Sequence, residues 1–243
     1  FNLLAPYGYK DLKLIEGRDY RGIDTAIISK YKILDSKLHY ITFSGKFEGK
    51  DTRPILDATI DVNGNKVKPP YPDNHERLIV GMGCFWGAER MFWQQEGVYS
   101  TSVGYSAGKT TDPTYNEVCS GVTDHAEVVL IVYDTETINL NSLLAIFWEG
   151  HNPTQFMRQG NDIGTQYRSI IFYDEDETRQ IIESSRDQYQ SELEKAGYGK
   201  IVTEIQSSEK FFYAEDYHQQ YLAKNPSGYC GLGGTGIKCS VAG

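Results

Sequence analysis

One cysteine of this sequence lies where a predicted strand turns into a predicted helix. Cys84 follows the apolar run Leu78 to Val80, and residues 88–95 have helical character. A cysteine attacks as its thiolate, which the unpaired amides and positive end of a helix N-terminus favour. We therefore expect a nucleophilic thiol in a tight, exposed turn, with Phe85 and Trp86 as the wall of a small apolar pocket.

The same turn permits a different interpretation, as a dinucleotide-binding loop. Gly81, Gly83 and Gly87 give a G-x-G-x-x-x-G pattern between the strand and the helix. The aromatic residues after Cys84 would crowd a pyrophosphate, however, and residues 98–108 contain no acidic side chain for a ribose. A second glycine pattern, at 231–236, has too few residues after it for a helix and a strand. We expect a flexible linker there and favour thiol chemistry over nucleotide binding.

Composition limits the class of protein. A chain of 243 residues can bury a core without disulfides, and its four cysteines include no C-x-x-C pair, which predicts a reducing compartment, the cytoplasm. The sequence shows no leader pattern and no apolar run long enough to span a bilayer. Its net charge of −9 argues against nucleic acid or an anionic membrane as a partner. We expect a soluble monomer whose partners are small molecules or proteins.

The chain is predicted to have three parts. A stiff run of prolines and a tyrosine at 69–72 separates an N-terminal extension, residues 1–72, from an α/β domain at 73–224. A strand at 38–43 and an Asn-Gly turn within 61–67 are expected in the extension, whose role the sequence does not assign. Residues 225–243 are predicted to be a coiled, mobile, glycine-rich tail.

Strands and helices alternate in the predicted domain. Strands are expected at 78–80, 127–133, 168–173 and 201–206, and helices at 88–95, 141–149, 174–195 and 214–224. Acidic residues crowd the start of the helix at 174–195, and Gly197 follows it as a stop signal. The predicted fold class is α/β, an α+β two-layer sandwich with a mixed sheet in a ferredoxin-like plait.

Several segments of the sequence together resemble one enzyme family. The segment Gly81 to Glu89, GMGCFWGAE, is similar to the signature of methionine sulfoxide reductase A. Further blocks resemble the same family in the same order. They are 112–119 (DPTYNEVC), 125–128 (HAEV), 152–155 (NPTQ), 159–169 (QGNDIGTQYRS), 214–221 (AEDYHQQY) and the tail from 228 to 239. The resemblance covers residues 62–239.

This resemblance implies roles for particular residues. Cys84 would attack the sulfur of a methionine sulfoxide, and Glu127, kept protonated by a pocket of low dielectric, would give a proton to the departing oxygen. Tyr115 and Tyr167 match the family's hydroxyl donors to that oxygen, and Phe85 and Trp86 match the wall around the substrate methyl group. Asp162 matches a polar supporting position.

The resemblance also implies how the enzyme would be regenerated. The sulfenic acid left on Cys84 would condense with Cys230, and Cys239 would then exchange to give a disulfide that thioredoxin or dithiothreitol reduces. The implied activity is peptide-methionine (S)-S-oxide reductase, acting on free methionine sulfoxide or oxidised proteins and needing no cofactor. A thiol peroxidase using the same Cys84 is the alternative among enzymes.

The remaining candidate residues are interpreted as structural. His125, His151 and His218 are scattered without the spacing of metal ligands, so no metal site is predicted. Cys119 lies within a matched block but has no role there.

Overall fold

The computed structural model describes residues 65–239 and four strands before them. It divides the chain into two compact units, residues 1–66 and 67–243. In the first unit, β1 (Asp11–Ile15) pairs antiparallel with β2 (Thr25–Ser29), and β3 (Lys32–His39) pairs antiparallel with β4 (Ile55–Asp61). The strand expected at 38–43 overlaps the end of β3, but its residues from 40 onwards and the Asn-Gly turn lie outside the described residues.

The second unit alternates strands and helices. Its strands are β5 (His75–Met82), β6 (Val98–Ser106), β7 (Ala126–Asp134), β8 (Arg158–Gln159), β9 (Asp162–Ile163), β10 (Ser169–Tyr173), β11 (Glu204–Ser207) and β12 (Phe212–Tyr213). Its helices are α1 (Phe85–Trp93), α2 (Tyr115–Cys119), α3 (Leu140–Gly150), α4 (Asp176–Lys195) and α5 (Tyr221–Lys224), with a 3-10 turn at Thr165–Tyr167.

Six strands form one mixed sheet in the order β11, β10, β5, β7, β6, β12. The pair β10 and β11 is parallel, and every other neighbouring pair is antiparallel. The short strands β8 and β9 form a separate hairpin. The prediction of an α/β fold with a mixed sheet is confirmed, while the ferredoxin-like plait stays a prediction.

Helices α1, α3 and α4 cover one face of this sheet. Successive side chains of a strand point to opposite faces of the sheet. Along β5, Leu78 and Val80 pack with the helices, while Ile79 packs on the other face. The helix side of the core is closed by large buried rings, including Phe92 of α1 and Trp148 of α3. The rigid sheet and these helices fix the turn between β5 and α1.

Most predicted elements are present, with shifted ends. The helix α1 begins at Phe85 rather than at residue 88, so Cys84 is its N-cap residue. The acidic first turn of α4 and the glycine stop at Gly197, which has a φ of +81°, are as expected. Strand β6 and helix α2 were not predicted.

The helix predicted at 214–224 is wrong. Only Tyr221–Lys224 is helical, and turns occupy residues 216–220. The side chain of Gln219 bonds the backbone of Val103 in β6 at both N and O, with distances of 2.9 and 2.8 Å. Gln220 is left-handed, with a φ of +47°. These tertiary hydrogen bonds replace the helical ones.

The described part of the tail, residues 225–239, contains no helix or strand, and it packs on the second unit. Leu232 and Ile237 contact the core, and the hydroxyl of Tyr198 donates to the carbonyl of Thr235 at 3.0 Å. Glu149, near the end of α3, accepts from the backbone N of Cys239 and from Nζ of Lys238. The tail is docked in this conformation, and its mobility stays a prediction.

Candidate active site

Cys84 lies between the end of β5 at Met82 and the first turn of α1. Gly83 before it has a φ of +98°, and a methyl group there would come within 2.6 Å of Cβ of Gln159. Only glycine allows both this backbone and this approach. The side chain of Cys84 is only 6% exposed. The expectation of an exposed turn is therefore wrong, because the hairpin of β8 and β9 and the tail cover it.

Burial controls the charge of this thiol. It raises the pKa of Cys84 above its ordinary value, as does the nearby carboxyl of Glu127, while hydrogen bonds from the amides of Trp86 and Gly87 lower it. The helix N-terminus thus acts as expected, but its effect is the smaller one. The net effect is a raised pKa, which favours the protonated thiol at neutral pH.

Glu127 is the second residue of β7 and is only 2% exposed. Its Oε2 accepts a hydrogen bond of 3.0 Å from the backbone N of Phe85. Burial raises the pKa of Glu127 to about 8, against a smaller opposing effect of this hydrogen bond. This direction agrees with the expected protonated carboxyl, whose role as the acid stays a prediction.

The two tyrosines and the aspartate lie around this carboxyl. Tyr115 begins α2 and Tyr167 ends the 3-10 turn. Burial raises the pKa of both tyrosines, and the charge of Glu127 raises it further. Both phenols therefore keep their protons and can donate hydrogen bonds. Asp162 of β9 lies near enough to raise the pKa of Cys84 and Glu127, and its Oδ1 accepts from the hydroxyl of Tyr229 at 3.1 Å.

Phe85 and Trp86 differ in their surroundings. Phe85 is fully buried, with its ring 5.9 Å from that of Tyr105. Trp86 is half-buried, stacks on Tyr221 at 4.0 Å and donates from Nε1 to Nδ1 of His218 at 3.1 Å. Trp86 is thus the one of the two that can face a ligand, with Phe85 beneath it.

The four cysteines all lie among the described residues, and none forms a disulfide. A methyl group at Gly87, one turn into α1, would come within 2.8 Å of Sγ of Cys230. Cys230 therefore lies against the first turn of the helix that Cys84 caps. Cys239 packs against the core near α3, and Cys119 is exposed and hydrogen-bonded to Tyr115. The structure brings Cys230 to the first turn of α1 and leaves Cys239 farther along the tail.

Within the described part of the chain, no group of three or more His, Cys, Asp or Glu side chains has the geometry of a metal site. His151 is fully bonded, to the carbonyl of Phe147 at 2.6 Å and to Oγ of Ser169 at 2.7 Å, and burial lowers its pKa to about 4. No helix in the described residues is long and apolar enough to cross a membrane.

The dinucleotide interpretation does not fit this geometry. Both neighbours of β5 in the sheet are antiparallel to it, whereas a dinucleotide fold places its glycine turn in a parallel sheet. The space in front of Gly83 and Gly87 is filled by Gln159, Leu232 and Cys230. No room is left there for a pyrophosphate.

Sequence reasoning missed several residues that support the site. Glu89 of α1 is buried, and its carboxylate accepts from the backbone N and from Nε2 of Gln220, both at 2.9 Å. Glu215 accepts from the backbone N of Tyr115 at 2.8 Å. One signal was available, because Glu89 lies four residues after Phe85, on the apolar face of an amphipathic helix. A carboxylate at such a position needs buried partners.

A buried thiol at a helix N-terminus, a neutral carboxyl beside it and a second thiol against the first turn of the same helix are the parts that a thiol-dependent oxidoreductase uses. The profile of the family described as peptide methionine sulfoxide reductase matches residues 76–238. The chain belongs to this family. The match spans Cys84, Glu127 and Cys230, and it ends one residue before Cys239.

Individual relatives agree with the family. Peptide methionine sulfoxide reductase MsrA 2 of Nostoc sp. is 62% identical over 180 residues, 74% of this chain and 81% of the relative. The MsrA of Pseudomonas syringae pv. tomato is 56% identical over 206 residues, 85% of this chain and 96% of the relative.

Solved structures give the same result. Methionine sulfoxide reductase A of Corynebacterium diphtheriae is 44% identical, with a TM-score of 0.60, over 65% of this chain and 79% of that one. Reduced Mxr1 from Saccharomyces cerevisiae is 32% identical, with a TM-score of 0.61, over 73% of this chain and 96% of that one. The resemblance inferred from the sequence motifs is confirmed, and the protein is a methionine sulfoxide reductase of the MsrA type.

Proposed function

We propose that this enzyme reduces the S epimer of methionine sulfoxide, free or within proteins, with Cys84 as nucleophile and Glu127 as acid. The observation that carries the proposal is the hydrogen bond from the amide of Phe85 to Glu127. It ties the proton donor to the residue that follows the thiol. A carboxyl with a pKa of about 8 is protonated at neutral pH and close enough to that pH to give its proton up.

Glu127 and Cys84 have linked roles in the chemical step. A protonated Glu127 carries no charge that would oppose ionisation of the thiol. The amides of Trp86 and Gly87 stabilise the thiolate that attacks. Expulsion of a bare oxide from the sulfoxide is prohibitive, so Glu127 supplies the proton. The sulfoxide oxygen ends on Cys84, which is oxidised by two electrons to the sulfenic acid, and the substrate leaves as methionine. The proton that the thiol loses returns Glu127 to its acid form.

The surrounding side chains orient the substrate. Tyr115 and Tyr167 keep their phenolic protons and donate hydrogen bonds to the sulfoxide oxygen. Trp86 contacts the methyl group, and Phe85 holds it from beneath. Asp162 is a polar support, held by the hydroxyl of Tyr229. The two epimers differ in which position the sulfoxide oxygen and the methyl group occupy. In the other epimer the oxygen would face the apolar wall and the methyl group would face the hydroxyl donors, so both contacts would be lost.

Two thiol exchanges regenerate the enzyme. Cys230 condenses with the sulfenic acid of Cys84 and releases water, which forms a disulfide. Cys239 then attacks Cys230 and frees Cys84, and an external dithiol such as thioredoxin reduces the resulting disulfide. No cofactor takes part. The second exchange requires the docked tail to move, because Cys239 is bonded at Glu149 and packs near α3.

The test is consumption of racemic methionine sulfoxide in the presence of dithiothreitol, with the two epimers resolved by chiral chromatography. We expect the wild-type protein to consume the S epimer alone and Cys84→Ser to consume neither. Cys119→Ser is the matched control, since this exposed thiol lies in the same site and should retain full activity. Multi-turnover activity of Cys84→Ser, or loss of both epimers at equal rates, would refute the proposal.

A further inference from the structure

The side chain of Arg168 is buried although it carries a charge, and the chemistry described above does not use it. It is only 7% exposed, and it directly follows Tyr167 in the chain. A guanidinium remains charged in proteins, and burial of a charge is costly unless hydrogen bonds and an opposite charge compensate it. The groups around Arg168 must therefore satisfy this charge.

The guanidinium of Arg168 donates four hydrogen bonds. Its Nε donates to Oε2 of Glu204 at 3.1 Å, which supplies the opposite charge. The other three bonds go to backbone carbonyls. Nη1 donates to that of Asp124 at 3.1 Å and to that of Thr165 at 2.9 Å, and Nη2 donates to that of Ala107 at 3.0 Å. A planar guanidinium serves several acceptors in fixed directions, which the single nitrogen of an ammonium does not.

Two of these three carbonyls belong to residues with a left-handed backbone. Ala107 has a φ of +54° and Asp124 a φ of +61°. This conformation is unfavourable for a residue with a Cβ atom, for alanine in particular, and it persists only where the surrounding structure holds it. Both turns bring a carbonyl to the same guanidinium. The hydrogen bonds from Arg168 therefore stabilise two turns that the local backbone preference disfavours.

The segments held by Arg168 lead into residues of the candidate site. Thr165 begins the 3-10 turn that Tyr167 ends. Asp124 lies three residues before Glu127, at the entry to β7. Ala107 directly follows β6, the neighbour of β7 in the sheet. One guanidinium thus joins the segments that place the proposed acid and one of the proposed hydroxyl donors.

We propose that Arg168 is a positioning residue that holds Glu127 and Tyr167 in their reacting geometry by binding the segments that precede them. This inference rests on the proposed function, which gives Glu127 and Tyr167 their roles. It assigns Arg168 no contact with the sulfoxide and no proton transfer, because its hydrogen bonds go to the protein itself. Tyr115 depends on a different contact, since Glu215 accepts from its backbone N at 2.8 Å.

The first test compares Arg168→Met with the wild type, as full-length proteins, in single turnovers of methionine sulfoxide without reductant. Methionine fills much of the space of the arginine stem but has no N–H to donate. A displacement of catalytic groups by about 1 Å can cost about a hundredfold in rate, and we expect a loss of this size in the rate at saturation. The half-saturating sulfoxide concentration should rise by less than about fivefold. The reason is that the four hydrogen bonds of Arg168 go to segments other than α1, which carries Trp86.

Two further variants separate geometry from charge. Arg168→Lys keeps the charge and a long stem, but its N–H groups diverge from one atom, so its rate at saturation should stay within about threefold of that of Arg168→Met. Arg77→Met is the matched control and should react at the wild-type rate. Arg77 also donates two hydrogen bonds, both to Asp174 at 3.0 Å, but its side chain is 54% exposed. A wild-type rate in either variant of Arg168, or a loss confined to the half-saturating concentration, would overturn the positioning role.

A second readout does not depend on activity. Hydrogen exchange followed by mass spectrometry should be faster in Arg168→Met for residues 107–111, 121–127 and 163–168, and by a larger factor than for helix α4. No increase in these segments, or an equal increase in α4, would overturn the role, because a general loss of stability affects the whole domain. Arg168→Lys allows the same comparison if the methionine variant does not fold. A wild-type protein that reduces no sulfoxide would instead refute the proposed function, and the exchange would still decide whether Arg168 holds these segments.

Discussion

The carboxyl group of Glu127 accepts a hydrogen bond of 3.0 Å from the backbone amide of Phe85, the residue directly after Cys84. One amide of the helix N-terminus is thereby given to the acid, while those of Trp86 and Gly87 are left for the thiol. Burial raises the pKa of both groups, so the site holds two protons at neutral pH. In the proposed mechanism, a proton is therefore available at Glu127 when the sulfoxide binds.

The raised pKa of Glu127 predicts a dependence of stability on pH. A carboxyl whose pKa is about 8 when folded and near 4.5 when unfolded is protonated only in the folded state between these values. The unfolded state then binds fewer protons, so stability falls as the pH rises from about 4.5 to about 8. In Glu127→Gln this loss is absent. We expect the free energy of unfolding of the variant, relative to that of the wild type, to rise by roughly 2–5 kcal/mol between pH 4.5 and pH 8.5, as measured by urea unfolding. If the stabilities of the two proteins changed in parallel with pH, Glu127 would not be a neutral buried acid in the folded state.

The same substitution should affect the chemistry. Glutamine preserves the shape of the side chain and an acceptor for the amide of Phe85, but it has no acidic proton to give. We expect Glu127→Gln to slow the chemical step by two to four orders of magnitude, as is typical for loss of a general acid. Rapid-quench measurement of methionine formed in a single turnover would report this. A rate equal to that of the wild type would remove Glu127 from the mechanism.

Removal of the resolving thiol should separate the first step from recycling. In Cys230→Ser, Cys84 still attacks, but its sulfenic acid finds no thiol with which to condense. We expect one equivalent of methionine per enzyme and then arrest with thioredoxin as reductant. A sulfenic acid probe should label Cys84, as shown by peptide mass spectrometry. Continued turnover at the wild-type rate would assign resolution to another thiol.

Adjacent isoleucines on α4 test how that helix packs. Ile182 is completely buried in the core, whereas Ile181 is 41% exposed. Ile182→Ala should reduce the free energy of unfolding by about 2–5 kcal/mol through lost burial and a cavity. Ile181→Ala makes the same chemical change and should cost less than about 1 kcal/mol, in part because alanine favours the helix. Equal losses in urea unfolding would show that α4 does not present this face to the sheet.

The parts of the site that the sequence predicted are those that depend on local signals. The position of Cys84 before a helix follows from an apolar run, a glycine turn and a helical segment that are contiguous. A raised pKa of Glu127 was expected from the matched motif, and the burial of this carboxyl agrees with it. Local sequence shows the helix amides near a thiol but not what covers it. For that reason the predicted exposure of the turn at Cys84 was wrong.

The parts that were mispredicted depend on partners distant in sequence. Residues 214–220 have a helical composition, but the side chains of Gln219 and Gln220 form hydrogen bonds to strand β6 and helix α1, more than a hundred residues earlier. Strand β6 carries serines and a glycine, which weaken its strand signal, and pairing with β7 along its length compensates. In both segments, hydrogen bonds to distant parts of the chain outweigh the local propensity.

A pair of adjacent tail glycines tests whether docking of the tail matters as well as its flexibility. A methyl group at Gly234 would lie 1.8 Å from the carbonyl oxygen of Glu149, whereas one at Gly233 would meet nothing within 4 Å. Gly234→Ala should displace the tail from α3 and weaken the bond from the amide of Cys239 to Glu149. Gly233→Ala stiffens the chain equally but leaves this contact intact.

The population with an undocked Cys239 should rise about tenfold for each 1.4 kcal/mol that the clash removes from docking. Labelling of Cys239 by iodoacetamide, followed by peptide mass spectrometry, should therefore be faster in Gly234→Ala and unchanged in Gly233→Ala. Equal labelling rates in the two variants would mean that the contact with α3 does not restrain the recycling thiol.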